Sequence, residues 1–170
     1  MKVGRITLSD RASRGDYADL SGPEIERVVA AVFDEEIEWH RVLLPDSAER
    51  LARELRRLAD VERCALIVTT GGTGPAPRDV TPEATRTVLE KELPGFGEAM
   101  RAASFQTVPT AILSRATAGI RQRSLIVNLP GRPAAVAACL SPLVPAIVEA
   151  IEHVAGFRPR VRGAWEGATP

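Results

Sequence analysis

The chain has 170 residues, of which 45% are hydrophobic, and its 22 basic and 22 acidic residues give a formal net charge of zero. A chain of this length buries a sizeable core as one domain. The lack of a basic excess argues against nucleic-acid binding, and no apolar run is expected to approach the 18 residues of a membrane span. Because the N-terminus enters a strand pattern without a secretory leader, we expect a cytoplasmic protein with neither a nucleic-acid nor a membrane partner.

The first part of the chain predicts two strands that alternate with two helices. Residues 5–10 predict the first strand, which a polar loop rich in Gly, Asp and Ser follows. Ser21 and Glu24 have capping-box spacing, which predicts that a helix starts near Ser21. A second strand is predicted over residues 36–44 and a charged amphipathic helix over residues 45–60.

The second part begins with a continuous apolar run over residues 64–70, which is typical of a parallel strand buried on both faces. Thr81 is positioned to cap the next helix, with Pro82 at its first position. A helix is then predicted within residues 94–105, short strands within 108–124 and a last strand over 125–131. A closing helix is predicted over residues 133–155, which Pro142 and Pro145 should kink or split. The tail after it is expected to be extended or loosely ordered.

Strands that alternate with helices indicate an α/β fold with a mainly parallel sheet. We expect one domain over residues 1–155 and a C-terminal tail over residues 156–170. In such sheets ligands bind beyond the carboxyl ends of the strands. Polar or Gly-rich segments follow the predicted strands and would converge on one edge; they are SDRAS (9–13), PDS (45–47), TTGGTG (69–74) and NLPG (128–131).

The TTGGTG segment matches neither of the familiar glycine signatures. No P-loop lysine follows Gly71 or Gly72, and Pro77 stands at the third glycine position of a dinucleotide fingerprint. Glycines with positive φ would still let backbone N–H groups approach an anion, with threonine hydroxyls beside them. The alternative is a tight strand-to-loop turn that holds no ligand.

Two aspartates flank this loop, and each has a structural alternative. Asp46 and Glu49 have capping-box spacing, with Ser47 as a second candidate cap, and Asp79 fits a surface turn or a helix cap. Together, at one sheet edge beside a phosphate-binding loop, Asp46 and Asp79 predict a Mg²⁺ site. That ion prefers one or two carboxylates plus substrate phosphate oxygens, which points to nucleotide chemistry.

The cysteines and histidines carry no comparable pattern. Cys64 and Cys139 lie in apolar surroundings without CxxC spacing, which predicts two core thiols. His40 and His153 lie far apart in the sequence and fit no ligand cluster, so we expect ordinary structural or surface roles for them.

Six segments of the chain resemble the molybdopterin adenylyltransferases, the family of bacterial Mog, which is similar to the gephyrin G domain and the plant Cnx G domain. They occur in family order and span about residues 5–155. MoaB proteins and molybdenum-insertase domains share TTGGTG, whereas PRDVTPEAT narrows the resemblance to the adenylyltransferases. The segments are SDRAS (9–13), LLPD (43–46), TTGGTGPAPRDVTPEAT (69–85), PGFGEAMR (94–101), AILSRATAGIR (111–121) and LIVNLPG (125–131).

The resemblance implies a three-layer molybdopterin-binding α/β domain of the MoaB/Mog type, a homotrimer and transient contact with a molybdenum insertase. It implies that Mg-ATP and molybdopterin react to adenylyl-molybdopterin and pyrophosphate, a step of molybdenum cofactor biosynthesis. The family's two essential aspartates match Asp46 and Asp79, to which we assign catalysis and Mg²⁺. The alternatives are a molybdopterin carrier, a MoaB-like paralogue without this activity, and a scaffold that organises partners.

The same resemblance suggests which residues meet the nucleotide and molybdopterin. Arg101 is a further candidate for the pterin phosphate, and the alternative for each arginine is a solvated or ion-paired side chain. The expected binding residues are Ser9, Asp10, Thr70, Gly71, Gly72, Thr73, Gly74, Arg78, Ser114, Arg115, Asn128, Pro130 and Gly131.

Overall fold

A computed structural model describes residues 1–163, and within them the fold is one six-stranded sheet flanked by helices. The strands are β1 (Lys2–Leu8), β2 (Glu38–Leu44), β3 (Leu66–Thr70), β4 (Lys91–Glu92), β5 (Ala118–Arg121) and β6 (Ser124–Leu129). The helices are α1 (Asp10–Ser13), α2 (Ser21–Val32), α3 (Ala48–Arg56), α4 (Thr81–Arg86), α5 (Pro94–Phe105), α6 (Pro133–Leu140) and α7 (Val144–Ala155).

The sheet order β2-β1-β3-β6-β5-β4 confirms the mainly parallel sheet. Strands β2, β1, β3 and β6 are parallel neighbours, whereas β5 and β4 add an antiparallel edge. The register pairs Leu8 with Leu44, Thr7 with Thr70, and Thr70 with Leu129. The segments that follow these four parallel strands therefore leave the sheet along one edge.

Helices cover both faces of the sheet and give two separate cores. On one face α2, α5, α6 and α7 pack in a cluster that includes Val68 and Val127. On the other face α3 and α4 pack in a cluster that includes Ile67 and Ile126. Neighbouring strand residues point to opposite faces, so burial on both sides explains the continuous apolar run of β3. The three-layer α/β prediction is confirmed.

The strand predicted over residues 5–10 instead runs from Lys2 to Leu8. It ends early because Ser9 caps the unpredicted helix α1, its hydroxyl accepting a hydrogen bond from the backbone N–H of Ala12 at 3.2 Å. At its start, the N–H of Glu38 donates to the carbonyl of Met1 at 3.0 Å. Pairing with β2 thus extends the strand toward the N-terminus.

Two predicted helix caps are wrong. Ser21 is the first residue of α2, and its hydroxyl donates to the carbonyl of Gly131 at 2.8 Å. Thr81 is likewise inside α4, and its hydroxyl donates to the carbonyl of Gly71 at 2.8 Å. Both hydroxyls join a helix start to a distant loop, a use that local spacing does not reveal.

At α3 the structure chooses between the two candidate caps. The hydroxyl of Ser47 accepts a hydrogen bond from the N–H of Arg50 at 3.4 Å, so Ser47 is the cap. This arrangement leaves the carboxylate of Asp46 available for other contacts.

The middle of the chain matches the predictions in part. The helix expected within residues 94–105 is α5, which occupies that whole range. Residues 108–124 contain the expected short strand β5, but Pro109–Leu113 forms a 3₁₀ turn. The two-residue strand β4 was not predicted.

The apolar segment Pro133–Ala155 is split by its prolines, as predicted. Pro142 lies in a 3₁₀ turn over Ser141–Leu143, and Pro145 lies in the first turn of α7. The expectation that no apolar run approaches 18 residues is wrong, because this segment has 23 residues and a mean hydropathy of 1.9 in its most apolar window. By length and composition alone it could cross a bilayer, but its apolar inner face is buried in the core beside α2 and α5.

The tail is expected to be extended or loosely ordered, and its first residues are extended. The N–H of Asp34 donates to the carbonyl of Arg160 at 2.9 Å, and the N–H of Arg162 donates to the carbonyl of Val32 at 2.8 Å. Val161 forms an isolated bridge with Phe33. The remainder of the predicted tail, residues 164–170, lies outside the described residues.

Both cysteines are buried free thiols, which confirms the prediction of two core residues. Burial raises the pKa of the Cys64 thiol to about 12. At neutral pH this thiol is therefore protonated and unreactive in the folded protein.

Candidate active site

A cavity of about 180 Å³ lies where the carboxyl ends of the parallel strands meet. The segments after β1, β2, β3 and β6 all reach its wall, so the predicted convergence is present. Of the residues predicted to form the site, those in the wall are Ser9, Asp10, Asp46, Thr70, Gly71, Gly72, Arg78, Asp79 and Gly131.

The glycine loop takes a backbone conformation that requires glycine. Gly71 has a φ of 97° and Gly72 a φ of 64°, in the left-handed region that other residues rarely adopt. A Cβ on Gly71 would lie 2.3 Å from the carbonyl oxygen of Leu8, and a Cβ on Gly72 would lie 2.5 Å from Oγ1 of Thr81. Glycine therefore lets the loop pass directly beside β1 and the start of α4.

The same loop presents backbone donors near the cavity. The N–H of Gly71 donates to the carbonyl of Leu129 at 3.3 Å. Within residues 1–163, the N–H groups of Gly72, Thr73 and Gly74 donate to no backbone acceptor. Consecutive donors beside a positive-φ residue form a concave anion site. The loop can thus receive a phosphate without a lysine.

Asp46 sits in a concentration of negative charge. Its backbone N–H donates to the carboxylate of Asp10 at 3.0 Å. Burial raises the pKa of the Asp46 carboxyl, the charges of Asp10 and Asp79 raise it further, and Arg78 opposes them. The charges of Asp10 and Asp79 therefore disfavour the charged form of Asp46, an effect that a bound cation would relieve.

Asp79 is oriented by its own turn. Its carboxylate accepts a hydrogen bond from the N–H of Ala76 at 2.9 Å, and its N–H donates to the carbonyl of Ala76 at 2.8 Å. A Cβ on Gly74 would lie 2.8 Å from that carboxylate, so Gly74 makes room for it. The turn directs the carboxyl group of Asp79 to the cavity wall.

The donors in the wall fit a hard divalent cation. Carboxylates, hydroxyls and backbone carbonyls are oxygen ligands, which Mg²⁺ prefers. Within residues 1–163, no group of three or more His, Cys, Asp and Glu side chains is arranged to enclose a metal ion. An ion held by one or two carboxylates together with substrate phosphates suits this arrangement better than a cage made only of protein groups.

The three candidate arginines have different surroundings. Arg78 is exposed and lines the cavity. Arg101 donates to the carbonyl of Ser114 at 3.1 Å. Arg115 donates to the carbonyl of Asp79 at 2.6 Å and pairs with the carboxylate of Glu83. In the described part of the chain, the predicted pair Ser114 and Arg115 does not line the cavity wall.

Four other predicted residues do not line the cavity in the described part of the chain. Asn128 is fully buried, and its amide donates to the hydroxyls of Thr69 and Thr85, each at 3.0 Å. The carbonyl of Pro130 accepts from the hydroxyl of Thr70 at 2.7 Å. Thr73 and Gly74 likewise do not line the cavity among residues 1–163. The expectation that Asn128 lines the edge is corrected: its amide joins β6 to β3 and α4.

Sequence reasoning missed a stretch of the wall that follows α1. The hydroxyl of Tyr17 lies 3.4 Å from Oγ of Ser9, and the guanidinium of Arg11 lies 5.0 Å from the centre of the Tyr17 ring. Tyr17 is about half exposed, so it offers an aromatic face at the cavity. The wall also includes Thr7, Leu8, Asp19 and Ser21.

Asp19 anchors this missed stretch. Its carboxylate accepts from the hydroxyl of Thr7 and the guanidinium of Arg5, both at 2.8 Å, and from the N–H of Gly22 at 2.9 Å. The polar loop after the first strand was the available signal, because a loop that leaves a strand's carboxyl end runs along the ligand edge.

The strand-end cavity, the glycine loop and the grouped carboxylates define an α/β domain with a polar site whose donors suit a phosphorylated ligand. A family model described as "Probable molybdopterin binding domain" matches residues 4–149. The chain belongs to this family.

Relatives of the chain are similar over most of its length. It is 48% identical to the molybdopterin adenylyltransferase of Helicobacter pylori strain J99 over 91% of the chain and 88% of the relative. It is 46% identical to the molybdopterin adenylyltransferase of Escherichia coli K12 over 80% of the chain and 70% of the relative. The crystal structure of the molybdopterin biosynthesis enzyme MoaB from Thermus thermophilus superposes with a TM-score of 0.85 at 41% identity, covering 92% of this chain and 98% of that chain.

These comparisons confirm the resemblance and the MoaB/Mog-like fold. They also place the chain beside proteins of molybdenum cofactor biosynthesis. The roles of individual cavity residues rest on the geometry described above.

Proposed function

We propose that the chain is a molybdopterin adenylyltransferase, a nucleotidyltransferase of molybdenum cofactor biosynthesis. ATP and molybdopterin are its substrates, and adenylyl-molybdopterin and pyrophosphate are its products. The observation that carries the proposal is that Asp46, Asp79 and the glycine loop meet in one cavity, in a chain whose relatives at 46% and 48% identity bear this name.

The reaction needs positioning and charge neutralisation more than a strong base. An oxygen of the terminal phosphate of molybdopterin, already ionised at neutral pH, attacks the α-phosphorus of ATP. A new P–O bond forms there while the bond to the β-phosphate bridging oxygen breaks, and pyrophosphate leaves with that electron pair. Bringing two polyanions together and aligning them accounts for most of the barrier.

The carboxylates and the loop divide this work. Asp46 and Asp79 would hold Mg²⁺, which when bound neutralises phosphate charge. Gly72 in the wall, with the N–H groups that follow it, would hold a phosphate through backbone hydrogen bonds. Arg78 is the predicted arginine in the wall and is the better candidate for the pterin phosphate, because guanidinium binds phosphate in a bidentate manner.

We further propose that the protein acts in the cytoplasm as a homotrimer and delivers its product to a molybdenum insertase. Exposed apolar side chains support self-association, because such surfaces favour protein contacts. They are Phe105, Val108, Ile112 and Leu113, between the end of α5 and the following 3₁₀ turn. Sedimentation of the purified chain, alone and with an insertase, tests the trimer and the insertase contact, and a monomer at all concentrations would contradict the trimer.

An adenylylation assay tests the main proposal. Purified protein is incubated with molybdopterin and ATP, with and without Mg²⁺, and adenylyl-molybdopterin and pyrophosphate are quantified. We expect equal amounts of both products, and a loss of roughly 100-fold or more in turnover for Asp46→Asn and Asp79→Asn. Asp34→Asn, at a surface carboxylate beside Arg162, is the control.

The outcomes distinguish the alternatives. Binding of molybdopterin without adenylylation by the wild type would support a carrier or a MoaB-like paralogue. Full turnover by both aspartate variants with unchanged binding would show that the proposed roles of the carboxylates are wrong.

A further inference from the structure

We infer that Arg115 is a positioning residue that fixes the shape of the loop Gly74–Asp79 and thereby the carboxylate of Asp79. It is the one guanidinium, among residues 1–163, that bonds both ends of this loop. We call the hydrogen bonds of Arg115 to Gly74 and Asp79 the clamp. Its effect on catalysis rests on the proposed function, whereas its geometry does not depend on that function.

The clamp spans the two ends of the loop. Nε of Arg115 donates to the carbonyl of Gly74 at 2.8 Å, and Nη2 donates to the carbonyl of Asp79 at 2.6 Å. Nη1 pairs with the carboxylate of Glu83 in the first turn of α4. The backbone N–H of Arg115 donates to the carbonyl of Thr73 at 2.9 Å. Arg115 is therefore bonded to both ends of the loop through its side chain and to Thr73, the residue before the loop, through its backbone.

The planar guanidinium is suited to this task. Its donors point in fixed, diverging directions, so one side chain can bond two carbonyls and a carboxylate at once. A lysine ammonium is a compact point charge on a flexible stem. It can replace the charge opposite Glu83 but cannot reproduce the fixed span between Gly74 and Asp79.

The clamp acts on the orientation of Asp79. That carboxylate is held by the N–H of Ala76, within the same loop. If Gly74 and Asp79 moved apart, the turn at Ala76 would open and the carboxylate would lose its hydrogen bond. Fixing the loop ends thus fixes a carboxylate of the cavity wall without any contact between Arg115 and a ligand.

A second arginine secures the segment that carries Arg115. Nη1 of Arg101 in α5 donates to the carbonyl of Ser114 at 3.1 Å and to the carbonyl of Ala116 at 3.3 Å. A Cβ on Gly97 would lie 2.2 Å from the carbonyl of Ala116, so glycine is needed for α5 to approach this backbone. The support runs from α5 through residues 114–116 to the loop.

This role differs from the contact with the pterin phosphate that the sequence suggests for Arg115. The side chain is committed to Gly74, Asp79 and Glu83, and it does not line the cavity among the described residues. A side chain that binds the substrate phosphate would line the cavity wall, as Arg78 does.

The test compares Arg115→Ala and Arg115→Lys with the wild type and with Arg27→Ala. Arg27→Ala is the matched control because it removes an exposed arginine paired with Glu24, away from the cavity. The first measurement is amide hydrogen exchange at Ala76 and Asp79, whose N–H groups are hydrogen bonded within the loop, and it requires no substrate. We expect exchange there to become about tenfold faster or more in both Arg115 variants and to remain unchanged in the control.

The second measurement is steady-state kinetics of adenylylation. Loss of loop positioning predicts a fall in kcat of about tenfold or more, with the KM for molybdopterin within about threefold of the wild type. It also predicts a higher Mg²⁺ concentration for half-maximal activity, because Asp79 would be less fixed. Lysine should not restore either value.

Other results would overturn the inference. Unchanged exchange at Ala76 and Asp79 would show that Arg115 does not fix the loop. A raised KM for molybdopterin at unchanged kcat, partly restored by lysine, would identify Arg115 as a residue that binds the substrate phosphate. If Arg115→Ala fails to fold, Glu83→Gln is measured in its place. This substitution removes the charge that pairs with Arg115 and leaves the bonds of Arg115 to the two carbonyls. We expect it to accelerate exchange at the same amides by a smaller factor. A wild type without adenylylation would contradict the proposed function, while the exchange data would still test the clamp.

Discussion

The two sides of the cavity are built in different ways. The side formed after β1 and β2 consists of charged side chains: Asp10 holds the backbone of Asp46, and Asp19 holds Thr7. The side formed after β3 starts with backbone, with Gly71 in a left-handed conformation and its carbonyl bonded by the hydroxyl of Thr81, and only then adds the side chains of Arg78 and Asp79. One side concentrates charge at the expense of stability, and the other fixes shape, so substitutions on the two sides should fail differently.

The largest expected effect separates activity from stability at Asp46. Its pKa is raised, chiefly by burial, so the folded state favours the protonated form. The stability contributed by this group is therefore present at low pH and lost as pH rises through the raised pKa. Asp46→Asn should lose roughly 100-fold or more in turnover while unfolding no more easily than wild type at pH 7.

Thermal unfolding of Asp46→Asn and wild type between pH 3 and pH 8 measures this. The advantage of the variant should grow as pH rises above the ordinary pKa of an aspartate and vanish below it. A variant that is less stable than wild type at pH 7 would mean that the Asp46 carboxylate stabilises the fold.

On the backbone side the expected failure is structural. Gly71→Ala places a Cβ 2.3 Å from the carbonyl oxygen of Leu8 at a φ of 97°, and strain of this kind costs about 1–3 kcal/mol or more. We expect a loss of about 2–4 kcal/mol in the free energy of unfolding, measured by urea denaturation. Gly95→Ala is the control: nothing lies within 4 Å of its Cβ in α5, so a gain of roughly 0.5–1 kcal/mol is expected. Equal effects at both positions would contradict the conformational argument.

The charged side also contains an anchor whose loss should cost less. Asp19→Asn keeps the shape but removes the charge that faces Arg5 across 2.8 Å, a pair with about 12% of each side chain exposed. We expect a loss of about 1–3 kcal/mol, again by urea denaturation. Glu24→Gln, which breaks the surface pair with Arg27, should cost about 1 kcal/mol or less. If the two losses were equal, the Asp19 anchor would be no stronger than a surface pair.

The smallest effect is expected at the aromatic face of the wall. A planar ring of ATP or molybdopterin can stack on the ring of Tyr17, so Tyr17→Ala should raise the KM of one substrate about threefold to tenfold, whereas Tyr17→Phe keeps the ring and should change it little. Separate titrations of the two substrates identify which ring is bound. Equal KM values for both variants and wild type would exclude stacking.

The sequence predicts well what depends on local pattern and poorly what depends on distant partners. The apolar run at residues 64–70 predicts β3 because burial on both faces leaves no polar position. Asp46 and Asp79 could be placed at one edge because parallel strands end together. Ser21 and Thr81 have ideal cap spacing, yet their hydroxyls bond carbonyls of Gly131 and Gly71, which no local window contains.

Arg115 illustrates the same limit. The sequence presents it as a candidate for the pterin phosphate beside a serine, and its carbonyl acceptors lie 36 and 41 positions away along the chain. Asn128 is similar, because a polar residue at a strand end indicates a ligand site unless its burial is known. In both cases the missing information is the tertiary contact, not the residue type.

The bridge between Phe33 and Val161 fixes where the end of the described chain lies relative to the cavity. Helix α2 begins at Ser21 in the cavity wall and ends at Val32, about 16 Å further along its axis at 1.5 Å per residue. Since Arg162 bonds the carbonyl of Val32, the chain leaves the described fold at the end of α2 remote from the cavity. A surface tether or fluorescent label attached at Gly163, which is exposed and close to this contact in the chain, is therefore held away from the cavity, which makes this position suitable for immobilising the protein in binding measurements.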